Sequence, residues 1–353
     1  MTFGTDRGGV PISVDGLERI VVQLVEARRL ADFNDVAHGR LALLLLDNAA
    51  ETMLSRQAQE ALVWADVHRN LLKNMERHGY SPNEDSKADA LFEELSANGV
   101  SEKTRKKIRQ NFSDLVRFVF SRPDCELGTE LAGCLNALHR YRNAAYHQDV
   151  VRNDVLGPAT EIYFYLCCQL LKHQKYTVME IATPPAVVVE VFGGRLPETL
   201  TGFLTNEKAM GDAVADQLLA RYRLDHNGIS STLAAHLDAR IDLLETNLDE
   251  FIDHLGYPDR PTALRSIQLM PMSDEPPTVP EDFWTRPIPV TEKVIAGWKR
   301  RAVAIARVPL GQDALRQFDD IELAVSGFED QLEPFTIAID REIQHEIDLR
   351  RGK

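Results

Sequence analysis

The most constraining feature of this chain is an apolar stripe near its C-terminus. Phe318, Ile321, Val325, Phe328, Leu332, Phe335, Ile339, Ile343 and Ile347 step by three and four residues across Gln312–Arg350. Only an α-helix brings such positions onto one face, so the stretch must be a long helix packed against another helix or a partner chain. Pro334 is expected to kink or divide it, because proline removes one i→i−4 hydrogen bond. A second stripe, Leu233, Leu237, Ile241, Leu244, Leu248, Ile252 and Leu255, predicts another long helix over 230–255. Further upstream, the chain from Asn34 to Arg77 holds no proline and only Gly39 against a helix, with Val36, Leu41, Leu44, Leu45 and Ala49 at helical spacing.

The rest of the chain reads the same way. A helix is expected before Leu30 and a short one over Ser86–Ala97. Ser101 is placed to cap a helix reaching Ser121, and Pro123 stops it. Helices over Leu127–His147 and Val155–Lys175 follow. One departure lies at 187–192, where Val187–Phe192 between Pro184-Pro185 and Gly193-Gly194 reads as a short β-branched strand or extended piece. The fold class is therefore all-α, with at most that short extended segment. Residues 1–180 form an expected N-terminal bundle, 181–205 a linker, and 206–353 a mostly helical C-terminal domain. Eight prolines mark 257–290 as a long irregular connection within it.

Charge divides the chain unevenly. The net charge is −14, which argues against a protein that binds nucleic acid by its overall field. Residues 1–180 carry 22 basic against 25 acidic side chains and residues 181–353 carry 18 against 29, so the acidity belongs to the second half. Within 101–152 the sign reverses, with 10 basic residues against 6 acidic ones. The cluster Lys103, Arg105, Lys106, Lys107 and Arg109 is either a solvated helix face or a phosphate-contacting patch. The longest apolar run, Leu41–Leu46, is far shorter than the roughly 20 residues a membrane helix needs. No secretory signal is visible, and Cys125, Cys134, Cys167 and Cys168 lack zinc-ligand spacing, so a cytoplasmic location is expected. No metal or cofactor motif is present: H-E-x-x-H, a glycine-rich phosphate loop and G-x-S-x-G are all missing.

The basic segment contains the densest chemistry, Arg140-Tyr141-Arg142-Asn143-Ala144-Ala145-Tyr146-His147. An arginine fork grips phosphate in bidentate fashion, and a histidine gives or takes a proton near neutral pH. Asn143 and His147 share a helix face at i, i+4. Arg142 and His147 are five apart and point roughly 140° from one another on an intact helix. One site built from both needs a helix ending near His147 or a second copy of the motif. Alternatively the stretch is an ordinary helix terminus, in which His147 would sit near the last carbonyls and Arg142 would pair with a nearby carboxylate.

Arg142-Asn143-x-x-x-His147 resembles the R-x4–6-H signature of the HEPN superfamily, nucleotide-binding domains of eukaryotes and prokaryotes. The upstream run Leu43-Leu44-Leu45-Leu46-Asp47 is similar to the early helix of that family, which carries an acid facing the motif. The resemblance covers about residues 15–180. It implies a metal-independent endoribonuclease without cofactors that leaves a 2′,3′-cyclic phosphate. Arg142 would hold the scissile phosphate, His147 would act as acid or base, Asn143 would orient and Asp47 support. Arg140 and the 103–109 cluster would contact RNA, tRNA among the candidates. It further implies a homodimer with a composite site, in the setting of toxins and defence. The acidic C-terminal half would sense a trigger, bind a regulatory partner or occlude the positive groove. A non-catalytic HEPN-like module that binds a nucleotide, an RNA or a protein, and a purely structural helical dimer, remain open alternatives.

Overall fold

A computed structural model describes residues 14–78, 80, 86–97, 99–123, 125, 127–147, 153–174, 184–200, 207–270 and 279–351. For a few residues at helix ends, His147 among them, the description covers the backbone only. The described residues form thirteen α-helices and one short 3₁₀ turn (Glu198–Leu200), with no strand among them. They fall into two units, Met1–Leu224 and Asp225–Lys353.

The first unit contains α1 (Val14–Ala31), α2 (Val36–Arg77), α3 (Ser86–Ala97), α4 (Glu102–Gln110), α5 (Phe112–Phe120), α6 (Thr129–His147), α7 (Asn153–Lys172), α8 (Ala186–Val191) and α9 (Glu207–Arg221). Its axis is α2, 42 residues long and hence roughly 63 Å at the α-helical rise. Asp35 caps it by accepting the His38 N–H at 2.8 Å, and Asn34 makes the turn before it with φ of 52°. Leu43, Leu46, Ala50, Met53 and Leu54 are fully buried along one face, against α1 on one side and α7 on the other. Gly39 belongs to this packing: a Cβ there would lie 2.7 Å from a methyl carbon of Leu156 on α7. The helix tolerates the glycine because it lets α7 approach.

Three expectations change within this unit. The helix expected from Ser101 to Ser121 is two helices. Ser101 caps α4 through the Thr104 N–H at 3.1 Å, but Asn111 adopts extended backbone, ends α4 and caps α5 through the Asp114 N–H at 3.0 Å. An asparagine side chain that can serve as an N-cap competes with helix continuation, and here it wins. Val187–Phe192 is not extended: Ala186–Val191 form α8, closed by Gly193 and Gly194 at φ of 73° and 95°. Val188 and Val191, one turn apart, are buried on the unit's interior side, and with no neighbouring strand to pair with, packing overrides β-branched propensity. The division between units falls at Leu224–Asp225 rather than across 181–205, because α9 packs on α7 and closes the first bundle.

The second unit contains α10 (His226–Leu255), α11 (Arg260–Leu269), α12 (Glu292–Ile305) and α13 (Gly311–Arg350). Helices α10 and α13 run parallel: His226 Nδ1 accepts the Gly311 N–H at 3.0 Å near their starts, and His254 meets Glu342 at 3.1 Å near the end of α10. The two stripes meet there, with Leu233, Leu237, Ile241 and Leu248 fully buried alongside Phe318, Ile321, Val325 and Phe328. Arg240 crosses the seam, donating to Glu329 Oε1 at 2.9 Å and to Ser326 Oγ at 2.9 Å. The partner of the C-terminal stripe is thus a helix of the same chain over this length. Pro334 lies inside α13 without ending it. The connection 257–290 is not wholly irregular, since it holds α11, capped by Asp259 through the Thr262 N–H at 2.8 Å with Pro261 in its first turn.

Candidate functional site

Asp47 sits on the buried face of α2 among leucines and alanines and has no exposed surface. A carboxylate in that setting is tolerable only when its lone pairs are filled and its charge is balanced. Two helices supply the donors. From α6, His139 and Arg142 are one turn apart and reach the same carboxylate. His139 Nδ1 lies 2.8 Å from Oδ1, and Arg142 donates Nε–H to Oδ2 at 2.7 Å and a second bond through Nη2. From α7, the hydroxyl of fully buried Tyr163 donates to Oδ1 at 2.7 Å. Because an ionised carboxylate only accepts, the facing Nδ1 of His139 must carry the hydrogen, with Nε2 on the other side of the ring.

The electrostatics follow from this arrangement. Burial pushes the Asp47 carboxyl up, but hydrogen bonds from His139 and Tyr163 and the charge of Arg142 outweigh it and hold Asp47 below its ordinary value. Burial, reinforced by the Asp47 charge, pushes the Tyr163 hydroxyl well above 10, so it stays a donor. Cys167, whose thiol donates to the Leu46 carbonyl at 3.4 Å, is pushed up by burial and by Cys168, and Cys168 is pushed up by burial. Both are inert core thiols, as their place in an apolar helix suggests.

Arg142 continues outward from the carboxylate. Its Nη1 donates to Asn143 Oδ1 at 2.6 Å. These contacts use three of the five N–H groups of a guanidinium. The side chain is 17% exposed, and with His139 and Asn143 it lines a pocket of about 660 Å³. Phe112, at the start of α5, forms part of the wall and stacks on the His139 ring at a centroid distance of 4.0 Å and an interplanar angle of 9°. Arg105 and Arg109 of α4 line the pocket as well.

The structure therefore brings Asp47, Arg142 and Asn143 into direct contact and sets the end of the basic cluster beside them. Within that cluster the roles split. Lys103, Lys106, Lys107 and Arg109 are exposed. Arg105 is buried: it grips Asp66 with two bonds of 2.7 and 3.2 Å and approaches the Val100 carbonyl at 3.4 Å, which anchors α4 to α2. Arg140 lies on the exposed side of α6 and is not part of the pocket wall. His147 is the last residue of α6, about 140° around the helix from Arg142 by register, and its side chain lies outside the described residues. Sequence reasoning passed over His139, Tyr163 and Phe112. The available signal was the i, i+3 spacing of His139 and Arg142, which places two donors over one acceptor.

Among the described residues no group of three or more His, Cys, Asp or Glu side chains could hold a metal ion, and no helix is long and apolar enough to cross a membrane. Comparison with protein-family models, with curated proteins and with solved structures gives no match.

Proposed function

We propose that the first unit is a HEPN-like, metal-independent endoribonuclease. The observation that supports this reading best is the seating of Arg142: a buried carboxylate fixes its guanidinium in a pocket that Arg105 and Arg109 of α4 also line. Preorganised positive charge that needs no rearrangement is what a phosphodiester in its transition state requires. Arg142 holds the scissile phosphate through its remaining N–H groups, Asn143 steadies the guanidinium and Asp47 anchors it. His147 exchanges a proton with the ribose 2′-hydroxyl or the leaving oxygen. Lys103, Lys106, Lys107 and Arg109 draw in the RNA backbone. Since Arg142 and His147 diverge on an unbroken helix, two chains meet at the motif, and each lends its histidine to the other. The protein acts in the cytoplasm as a toxin or defence nuclease, and the second unit receives its trigger or regulatory partner.

A second reading has an observation of its own. Asp47 already compensates the charge of Arg142, which suits a pocket that binds a nucleotide or RNA without cutting it. Labelled tRNA and a generic single-stranded RNA incubated in EDTA separate the two. The nuclease reading expects wild-type protein to leave 2′,3′-cyclic phosphate ends, to spare DNA of the same sequence, and to lose activity in His147→Ala. Binding without cleavage, unchanged in His147→Ala, would replace it with the binding module.

A further inference from the structure

Resting on the nuclease reading, we infer that His139 is a second catalytic histidine of the site, the general base that works in cis beside Arg142. The geometry has four parts. First, His139 Nδ1 is held at 2.8 Å by a carboxylate with no exposed surface, so its tautomer and ring orientation are fixed. Second, the face of the ring lies against Phe112 at 4.0 Å, which favours this ring plane. Third, the edge bearing Nε2 is turned away from Asp47, on a residue that lines the pocket and keeps 19% of its side chain exposed. Fourth, the same carboxylate that orients His139 also fixes Arg142, so acid–base group and phosphate clamp share one reference point. An imidazole backed by a buried carboxylate is the arrangement that stabilises the imidazolium formed on taking up a proton.

His139, unlike His147, shares Arg142's side of α6, so a general base is present in cis while His147 still comes from the partner chain. Arg142 and His147 lie about 140° apart, whereas His139 and Arg142 lie about 60° apart and meet in one pocket. The step balances as a transesterification. His139 Nε2 removes the proton of the ribose 2′-hydroxyl, and O2′ forms a bond to phosphorus. The bond from phosphorus to O5′ breaks, and protonated His147 delivers a proton to that departing oxygen. The products are a 2′,3′-cyclic phosphate and a 5′-hydroxyl, with no net gain or loss of protons. Arg142 faces the non-bridging oxygens throughout.

The discriminating variant is His139→Asn. The asparagine amide takes the place of Nδ1–H and can still donate to Asp47, but nothing replaces Nε2. In EDTA, with single-stranded RNA between pH 5 and 9, His139→Asn is expected to lower kcat by about 100-fold or more while KM stays within about threefold. One limb of the pH profile should disappear with it. The other charged groups facing the ring or the pocket are Asp47, Glu51 and Asp66 of α2, Tyr163 of α7, Arg142 of α6, and Arg105 and Arg109 of α4. Histidine is the side chain that ordinarily titrates within that window. If wild-type protein cuts and His139→Asn retains kcat and both limbs, the inference is overturned while the nuclease reading stands. A folding defect is excluded by an unchanged melting temperature. Where wild-type protein does not cut, the nuclease reading falls, and ¹⁵N-histidine NMR with uridine 3′-monophosphate decides the remainder. A shift of the His139 Nε2 resonance supports its contact with phosphate or ribose, and no shift overturns it.

Discussion

Replacing Asp47 by alanine removes the acceptor through which α2 holds donors from α6 and α7. The cost can be worked from its partners. The Tyr163 hydroxyl is fully buried and would be left without its acceptor, at about 1–3 kcal/mol for an unsatisfied buried donor. Breaking a buried ion pair from one side costs about 3–5 kcal/mol, but Arg142 keeps 17% exposure and can turn its guanidinium towards pocket water, which lowers its share. These penalties overlap, so about 3–5 kcal/mol for the first unit is the expected total at neutral pH. Hydrogen exchange by mass spectrometry reads this locally. Peptides from α2, α6 and α7 should exchange about two to four orders of magnitude faster, at about 1.4 kcal/mol per decade, while α10 to α13 serve as the internal control. The gap should also close in acid. Because the folded-state pKa of Asp47 is depressed, its stabilisation is complete above the unfolded value of about 3.9 and is lost as pH falls through the folded value. Exchange in α6 and α7 within threefold of wild type at pH 7 would show that the carboxylate does not hold these helices together.

Two smaller perturbations probe the neighbouring interactions. Tyr163→Phe keeps the ring and removes one of the four hydrogen bonds to Asp47, so a destabilisation of about 1 kcal/mol is expected, or roughly fivefold faster exchange in α7. Its contribution is present below the ordinary tyrosine value of about 10 and fades as pH rises towards the raised folded value, so wild type and variant should converge in strong alkali. On α4, Lys106→Ala/Lys107→Ala and Arg105→Ala should part company. The double lysine variant should leave the melting temperature unchanged and flatten the salt dependence of single-stranded RNA binding by about 0.7 for each phosphate that is no longer neutralised. Arg105→Ala should lower the melting temperature instead, because its guanidinium is committed to Asp66 and the Val100 carbonyl. Equal salt slopes for wild type and the lysine variant would remove α4 from the binding surface.

How much of this could be read in advance depends on how local the cause is. The long helices were legible because their causes repeat every turn: of the stripes at 233–255 and 318–347, α10 and α13 bury the positions up to Leu248 and Leu332, whereas Leu255 and Ile343 are exposed. The break at Asn111 was not, since the same residue is acceptable inside a helix and favourable as a cap, and only the turn between α4 and α5 decides. The β-branched run Val187–Phe192 misled for a different reason. Its strand propensity is real, but it needs a sheet edge to act on, and the first unit offers a helical surface. At the site, Asp47 and Arg142 could be paired from a motif and an upstream acid. Tyr163 could not, because its role depends on α7 crossing α2 at the height of Asp47, a long-range fact with no local signature.

The charge arithmetic of the pocket explains why its two sides should behave so differently under mutation. Asp47 and Arg142 sum to zero, so their contribution to drawing in a polyanion from a distance is small. What they offer a phosphate is geometry at close range: N–H groups already aimed and a guanidinium that does not have to be ordered on binding. The exposed cations of α4 offer the opposite, attraction over about one Debye length with little positional constraint. On the proposed nuclease reading, long-range capture and close-range positioning would fall to different helices. Arg142 can be buried and compensated without losing its use, since the buried carboxylate that cancels its field is also what keeps it in place.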